Sequence, residues 1–132
     1  MADVVTSQTI QDGQRIAVMK FTNVSDGSGE AAVKKVDVSA LQTQSGSGAA
    51  CTGVSIQQVW YECNGMSVDF MWDASTDVIA WTISGYGFFD FRSAGPIINN
   101  ASGPTGDIMF TTVGHDSGDR YAVMLKMGKS YE

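Results

Sequence analysis

Short segments in which apolar and polar residues alternate dominate this chain. The clearest is 66–73, where Met66, Val68, Phe70 and Trp72 alternate with mostly polar neighbours. A period of two is typical of a β-strand with one buried face, because successive side chains point to opposite sides of a sheet. The same pattern predicts further strands, separated by turn residues, over 4–10, 15–23, 31–38, 54–63, 78–84, 86–91, 107–113 and 120–127.

Turn residues indicate how these strands pair. Asn64-Gly65 stands between two strong strand segments, and this dipeptide favours the type I′ turn of a two-residue hairpin. We therefore predict that 54–63 and 66–73 form an antiparallel hairpin. A second hairpin is predicted from 107–113 and 120–127, across a polar turn.

The number and spacing of the strands indicate the fold class. Eight or nine short strands in 132 residues predict an all-β protein. We expect a two-sheet antiparallel β-sandwich, jelly-roll-like, with about eight strands, and an immunoglobulin-like sandwich is the alternative. Residues 29–41 are the nearest helical candidate, but their apolar positions fit a helical face only loosely. No repeat or linker divides the chain, so 1–132 is predicted to be a single domain.

Composition and charge exclude several classes of protein. The chain is 43% hydrophobic and 17% charged, which excludes disorder of the highly charged kind. Its net charge of −6 argues against binding nucleic acid or anionic lipid through bulk electrostatics. No apolar run approaches the ~20 residues of a membrane span, and residues 1–7 lack the features of a secretory signal. The sequence therefore predicts a protein made in the cytoplasm.

Few residues offer catalysis or metal binding. His115 is the only histidine, and its place in a polar turn predicts an exposed side chain rather than a catalytic one. Cys51 and Cys63 lie in no CxxC motif, which leaves two small apolar residues or one disulfide as alternatives. The acidic turns lack the ligand spacing of a calcium-binding EF-hand loop. We predict no catalytic residue, no cofactor and no metal.

Two pairs of adjacent aromatic residues are the most informative feature of the surface. In Trp60-Tyr61 and in Phe88-Phe89, one ring of each pair must face away from the core, because neighbouring strand residues point to opposite faces. Outward rings are typical of a protein interface, and a sugar-stacking platform is the alternative. Phe70 and Trp72, in contrast, are predicted to lie in the core.

A partner surface is also predicted at the chain start and in a long loop. Residues 1–11 are polar and β-prone, and form either an N-terminal arm that pairs with a neighbouring chain or an ordinary edge strand. The loops 42–53 and 92–106 are long enough to contact partners. The predicted interface residues are Val4, Val5, Thr6, Ile10, Trp60, Tyr61, Phe88, Phe89, Ile97 and Ile98.

Four segments of the chain resemble a known group of proteins. They are AVMKFTNVSDGSGE (17–30), VKKVDVSAL (33–41), VDFMWDASTDVIAW (68–81) and TGDIMFTTVGHDSGDRYAVML (105–125). These segments resemble small virion structural proteins of tailed double-stranded DNA bacteriophages. The resemblance covers most of the chain and includes no catalytic motif.

The resemblance implies a role in the virion. It implies a non-enzymatic capsid cement or decoration protein that stabilises the head by bridging major capsid subunits on the capsid surface. The expected partners are the major capsid protein and further copies of the chain, in a trimer or dimer, with no nucleic acid and no membrane. The alternatives are a tail, neck or head-fibre component, or a carbohydrate-binding β-sandwich module.

Overall fold

A computed structural model describes residues 4–101 and 104–131 of the chain. All seven strands of this part pair antiparallel with their neighbours. A short 3-10 helix, Val38–Ala40, follows the third strand. The strands are β1 (Val4–Asp12), β2 (Ile16–Val24), β3 (Val33–Val36), β4 (Cys51–Ala74), β5 (Val78–Asp90), β6 (Pro104–Val113) and β7 (Arg120–Tyr131).

The strands form one strongly curled sheet in the order β1-β2-β7-β4-β6-β3, with β5 on the other edge of β4. The curl arises from β4, which pairs first with β7 over 51–64 and then with β6 over 67–74. This brings β2 and β6 face to face, and the rings of Phe21 and Phe110 meet edge-on at 5.1 Å between centroids. The all-β antiparallel prediction is confirmed, with seven strands in one continuous sheet instead of about eight in two.

The hairpin predicted at Asn64-Gly65 is wrong, because β4 continues through both residues. Gly65 has a φ of 86°, and its missing side chain leaves room for the carboxylate of Asp119. The positive φ bends the strand without reversing it, and the pairing of β4 with β5 shifts register there. A second merger at Gly85 joins the segments 78–84 and 86–91 into β5. These two mergers account for the smaller number of strands.

The second predicted hairpin is also wrong. Over the part of the chain that the structure describes, β6 pairs with β3 and β4, whereas β7 pairs with β2 and β4. The intervening turn instead folds onto the turn after β2, where the Ser25 amide donates to the Asp119 carbonyl at 2.7 Å. His115 is therefore half-buried, not exposed. Its ring fills the space beside Gly29, and its Nδ1 lies 3.1 Å from Thr112 Oγ1.

The apolar positions of the alternating strands line the inner face of the curl and form the core. Phe70 and Trp72 are fully buried there, as predicted. Cys51 and Cys63 are buried free thiols, which confirms the small-apolar interpretation and not the disulfide. Burial raises the pKa of Cys63 to about 11, because the thiolate is poorly solvated inside the protein. The inner face is thus the structural face of the sheet.

The first strand of the sheet is an ordinary edge strand in its pairing. β1 pairs with β2 from Val4 to Asp12, with one irregularity between Thr9 and Gln11. Residues 1–3, which begin the predicted N-terminal arm, lie outside the described residues. The opposite end of β1 is fixed by Lys129, whose buried ammonium donates to Asp12 Oδ1 at 2.7 Å.

Candidate functional site on the outer face of the sheet

The aromatic pairs divide between the two faces of the sheet, as the sequence predicts. Trp60 of β4 lies opposite Phe88 of β5, and their rings stack at 5.1 Å on the outer face. Tyr61 and Phe89 stack at 5.6 Å on the inner face. The register between β4 and β5 therefore gathers four rings into two stacked pairs, one on each side.

Strand register places the outer pair within a broad face that spans five strands. Residues opposite one another in antiparallel strands share a face, so each row of cross-strand partners crosses the sheet on one side. One outer row is Gln8, Lys20, Met124, Trp60 and Phe88. The next outer row is Thr6, Thr22, Ala122, Glu62 and Tyr86.

The aromatic residues of these rows are open to solvent. Trp60 is 38% exposed, Phe88 48% and Tyr86 84%. Trp60 and Tyr86 border a cavity of about 420 Å³, to which Lys20 and Glu62 also contribute, and Phe88 stacks on Trp60 beside it. Neither of these two charged side chains makes a hydrogen bond or ion pair with the rest of the described protein. We define Trp60, Tyr86, Phe88, Lys20 and Glu62 as the aromatic platform.

A fixed polar group lies beside the platform on the same face. The guanidinium of Arg92 donates two hydrogen bonds to Asp90, at 3.0 and 2.9 Å. Arg92 thereby holds the pKa of the Asp90 carboxyl well below its usual range. Gln58 Nε2 donates to the same carboxylate at 3.2 Å. The carboxylate is therefore held in place and charged at neutral pH.

A second, polar cavity of about 610 Å³ lies farther along the outer face. Its floor is Gly128, where an added Cβ would lie 2.8 Å from Gln57 Nε2 and 3.0 Å from Ser55 Oγ. The side chains of Gln57 and Ser55 make no hydrogen bond within the described part of the chain, so their polar groups are available to a ligand. One wall of this cavity is the loop after the 3-10 helix. The Lys129 ammonium holds this loop in place by donating to the Gln42 carbonyl at 2.9 Å.

The inner aromatic residues form a different kind of cluster. Trp81 contacts Phe89 and Phe91 edge-on, with centroids 5.5 and 4.9 Å apart. Tyr61, Trp81 and Phe91 are partly buried and pack against the core. The Trp81 indole nitrogen is buried, and no hydrogen-bond partner for it lies within the described residues. We define Tyr61, Trp81, Phe89 and Phe91 as the inner cluster, in which three rings pack against the core and Phe89, 37% exposed, contacts the other three.

The ten interface residues predicted from the sequence do not form one surface. Val4, Val5 and Ile10 are exposed on β1, and Ile98 is exposed in the loop after β5. Two strands separate β1 from β4, which places them about 14 Å apart at the usual strand spacing. The remaining predicted residues are Thr6, exposed on the outer face of β1, Ile97, half-buried in a bridge to Ile56, and the two aromatic pairs described above.

Sequence reasoning missed the polar residues of the platform. Lys20 and Glu62 lie on separate strands, and only the strand register brings them next to the aromatic rings. The one available signal was that Glu62 is two residues from Trp60 and so shares its face. Tyr86 was predicted as part of an aromatic strand but not as a site residue.

Residues 4–101 and 104–131 hold neither a metal-binding cluster nor a membrane-spanning helix. No group of three or more His, Cys, Asp or Glu residues is placed to hold a metal ion in these ranges. No helix among these residues is long and apolar enough to cross a membrane.

Comparison with known proteins gives matches at the level of structure. Neither a scan against protein-family models nor a search of the curated proteins finds a match. Among solved structures, a variant of the family 29 carbohydrate-binding module CBM29-2, complexed with mannohexaose, is similar with a TM-score of 0.52 and 12% identity, over 96% of this chain and 92% of that chain.

Two further variants of that module match similarly. One has a TM-score of 0.51 and 11% identity, covering 93% of this chain and 91% of its own. The other has a TM-score of 0.50 and 14% identity, covering 96% of this chain and 86% of its own. At these identities the likeness is one of fold: a curled, antiparallel β-sandwich.

Proposed function

We propose that this protein is a non-catalytic carbohydrate-binding module and that the outer face of the sheet is its binding surface. The observation that carries the proposal is the stacked, exposed pair of Trp60 and Phe88, with Tyr86 beside it and two charged groups within reach that have no partner among the described residues. We also propose that the curled sheet forms the two-layer, jelly-roll-like arrangement predicted from the sequence. The core would then lie between the two layers, and the outer face would remain free.

The chemistry of a sugar fits this surface. A pyranose ring has apolar C–H faces that lie flat on an aromatic ring, and hydroxyl groups around its rim that need hydrogen-bond partners. The exposed ring surface of the stacked pair, Trp60 and Phe88, offers the apolar contact, while Lys20 and Glu62 supply a donor and an acceptor. The platform is an open surface, which suits a segment of a polysaccharide chain better than an enclosed small molecule.

Two further observations support binding over catalysis. The solved structures with the same fold are named as binding modules, and one of them is complexed with mannohexaose. Glu62 is the one carboxylate in the lining of the cavity, and the carboxylate of Asp90 on the same face is already bound by Arg92. A pair of carboxylates is what glycoside hydrolysis commonly requires.

The proposal is tested by a binding screen with matched variants. Wild-type protein is screened against immobilised polysaccharides and soluble oligosaccharides that include mannohexaose, and the affinity for each hit is measured by calorimetry. Trp60→Ala removes the platform ring, while Phe91→Ala removes a ring of the inner cluster and serves as the control. We expect only Trp60→Ala to weaken binding. A wild-type protein that binds no glycan, or a Trp60→Ala variant with unchanged affinity, contradicts the proposal.

A virion role is a second proposal, and it concerns a different surface. The exposed, uncharged edge of β1 offers main-chain groups to a neighbouring chain such as the major capsid protein. A cement protein on the capsid surface would co-purify with intact heads at a ratio fixed by capsid symmetry. A copy number unrelated to that symmetry contradicts the cement role, and a position on the tail, neck or a head fibre favours the other virion alternative.

The virion proposal also makes a claim about the chain start. Deletion of 1–11 is expected to weaken association with capsids far more than it lowers the melting temperature, since residues 4–11 lie in an edge strand and are exposed. Equal losses of association and of thermal stability would contradict a specific role for the arm.

A further inference from the structure

The edge strands of the sheet differ in how they are protected from pairing with other chains. Natural proteins commonly shorten edge strands, place lysines on them or distort them. β3 is four residues long and carries Lys34 and Lys35. β5 is distorted at Gly85, whose φ is 69°, and its register shifts along β4. Both strands therefore carry devices that discourage further pairing.

β1 is neither shortened nor lysine-bearing, and its one distortion lies between Thr9 and Gln11, which leaves residues 4–9 regularly paired with β2. It is nine residues long, and its residues from Val4 to Gln11 include no charge and no proline. Every one of those eight residues is exposed, so no other part of the described chain covers the strand. Three of its exposed side chains are apolar: Val4 at 64%, Ile10 at 50% and Val5 at 41%. A long, uncharged edge with exposed apolar side chains is what a strand-pairing partner needs.

We propose that β1 pairs antiparallel with β1 of a second copy of this chain, about a two-fold axis at Ser7. A two-fold axis perpendicular to the sheet places paired residues of the two copies on the same face. The numbers of two paired residues therefore differ by an even number. With Ser7 opposite itself, Thr6 lies opposite Gln8 and Val5 opposite Thr9. The exposed Val4 then lies at the same end of the pairing as the exposed Ile10, which occupies the irregularity between Thr9 and Gln11.

The self-complementary sequence of β1 favours a second copy over an unrelated partner. Apolar residues meet apolar residues at the ends of the pairing, and hydroxyl and amide groups meet at its centre. The contact contains no charged pair, so the net charge of −6 on each copy is kept out of it. Main-chain hydrogen bonds from a single strand make a small interface. This predicts a weak, reversible dimer whose population rises with protein concentration.

The dimer would have a geometric consequence. A two-fold axis perpendicular to the sheet leaves the outer faces of both copies on the same side. Two copies of the aromatic platform would then face the same surface, and binding of a polymer at one would raise the effective concentration at the other. This consequence depends on the proposed function, whereas the pairing of β1 does not.

The pairing is tested by sedimentation velocity and light scattering over a wide range of protein concentration. We expect wild-type protein to shift from monomer to dimer as concentration rises. Ser7→Lys places two like charges against each other at the axis and is expected to remain monomeric. Ser75→Lys, in the exposed turn between β4 and β5, adds the same charge elsewhere and is expected to dimerise like wild type.

A charge exchange tests the register itself. Ser7→Glu is expected to be monomeric alone, and an equal mixture of Ser7→Glu and Ser7→Lys is expected to regain the dimer. Ser7→Cys is expected to form a disulfide-linked dimer on mild oxidation, because both thiols lie at the axis, whereas Gln8→Cys is not. Circular dichroism checks that each variant is folded, and the cysteine pair gives the answer if either charged variant unfolds.

Three results would overturn the inference. They are a wild-type protein that stays monomeric at every concentration, a dimer that Ser7→Lys leaves intact, and a Ser7→Cys protein that does not cross-link. Each is independent of glycan binding. A protein that dimerises as expected but binds no sugar contradicts the proposed function alone.

Discussion

The two aromatic groups on β4 and β5 have similar composition, but they lie on opposite faces of the sheet and have different surroundings. The platform holds Trp60 and Phe88 in a stack on the outer face, and the inner cluster holds Tyr61 and Phe89 in a stack on the inner face. The platform rings have solvent above them and free charged groups beside them. Three of the inner rings pack against the core, and Phe89, which is 37% exposed, is in contact with the other three rings.

The difference shows that the surroundings of an aromatic residue, and not its type, separate a binding surface from packing. A largely exposed ring contributes little to folding and leaves part of its surface available to a ligand. A partly buried ring is already in contact with other apolar groups. Substitutions on the two faces test this contrast, and their expected effects range from a large loss of stability to a change in reactivity.

The largest effect is expected in the core of the inner face. Trp72 is fully buried, so Trp72→Ala removes apolar contacts and leaves a cavity. We expect it to lower the free energy of unfolding by ~3–5 kcal/mol, measured by urea denaturation. A loss below ~1 kcal/mol would place Trp72 outside the packed core.

A smaller loss of stability is expected in the inner cluster. Trp81 is half-buried and packs against two phenylalanines, so Trp81→Ala should cost about 2 kcal/mol, less than a fully buried tryptophan. Affinity for a glycan should stay unchanged, since Trp81 lies on the opposite face. Reduced glycan affinity with unchanged stability would reverse the roles assigned to the two aromatic groups.

The platform should show the opposite behaviour. Trp60→Ala is expected to lower the affinity for a bound oligosaccharide at least tenfold, about 1.4 kcal/mol, and to lower stability by less than ~1 kcal/mol. Calorimetric titration gives the first value and urea denaturation the second. Trp60→Phe, which keeps an aromatic ring, should retain part of the affinity. Equal losses in the alanine and phenylalanine variants would indicate that stacking is not the source of binding.

The smallest effect concerns the reactivity of two adjacent positions. Burial raises the pKa of the inner thiol of Cys63 to about 11, so Cys63 should react slowly with iodoacetamide at pH 9. Glu62→Cys in a Cys63→Ser background places a thiol on the outer face and should react much faster. Comparable rates for the two folded proteins would contradict the assignment of faces.

The same raised pKa has a consequence for stability. The unfolded chain has an ordinary thiol pKa, lower than that of the folded protein, so the folded state binds the proton more tightly. The resulting stabilisation is complete below the unfolded pKa and is lost as pH rises through about 11. Cys63→Ser should remove this part of the alkaline loss of stability, measured by urea denaturation at several alkaline pH values.

Local pattern predicted the strands but not all of their connections. The period of two in 66–73 and 120–127 correctly predicts which side chains are buried, because it is a property of the extended backbone. Asn64-Gly65 has the composition of a hairpin turn, and yet the strand continues, because Asp119 occupies the space beside Gly65 and both halves of β4 pair with β5. Turn propensity was overridden by contacts distant in sequence.

The candidate site illustrates the same division. Adjacency alone established that Trp60-Tyr61 and Phe88-Phe89 each send one ring outward, since neighbouring strand residues alternate between faces. The stacking of Trp60 on Phe88, and the approach of Lys20 and Glu62, depend on the register of four strands. Register is set by the packing of the whole sheet, so no local segment encodes it.

The sequence by itself therefore determined the all-β class, the buried set of each strand and the presence of outward aromatic rings, because these follow from the geometry of an extended chain. The tertiary structure decided that two pairs of segments merge into β4 and β5, that the curl of β4 encloses one core, and that the outward rings meet charged groups on one face. Each of these depends on contacts between residues far apart in the chain, and those contacts exist only in the folded protein.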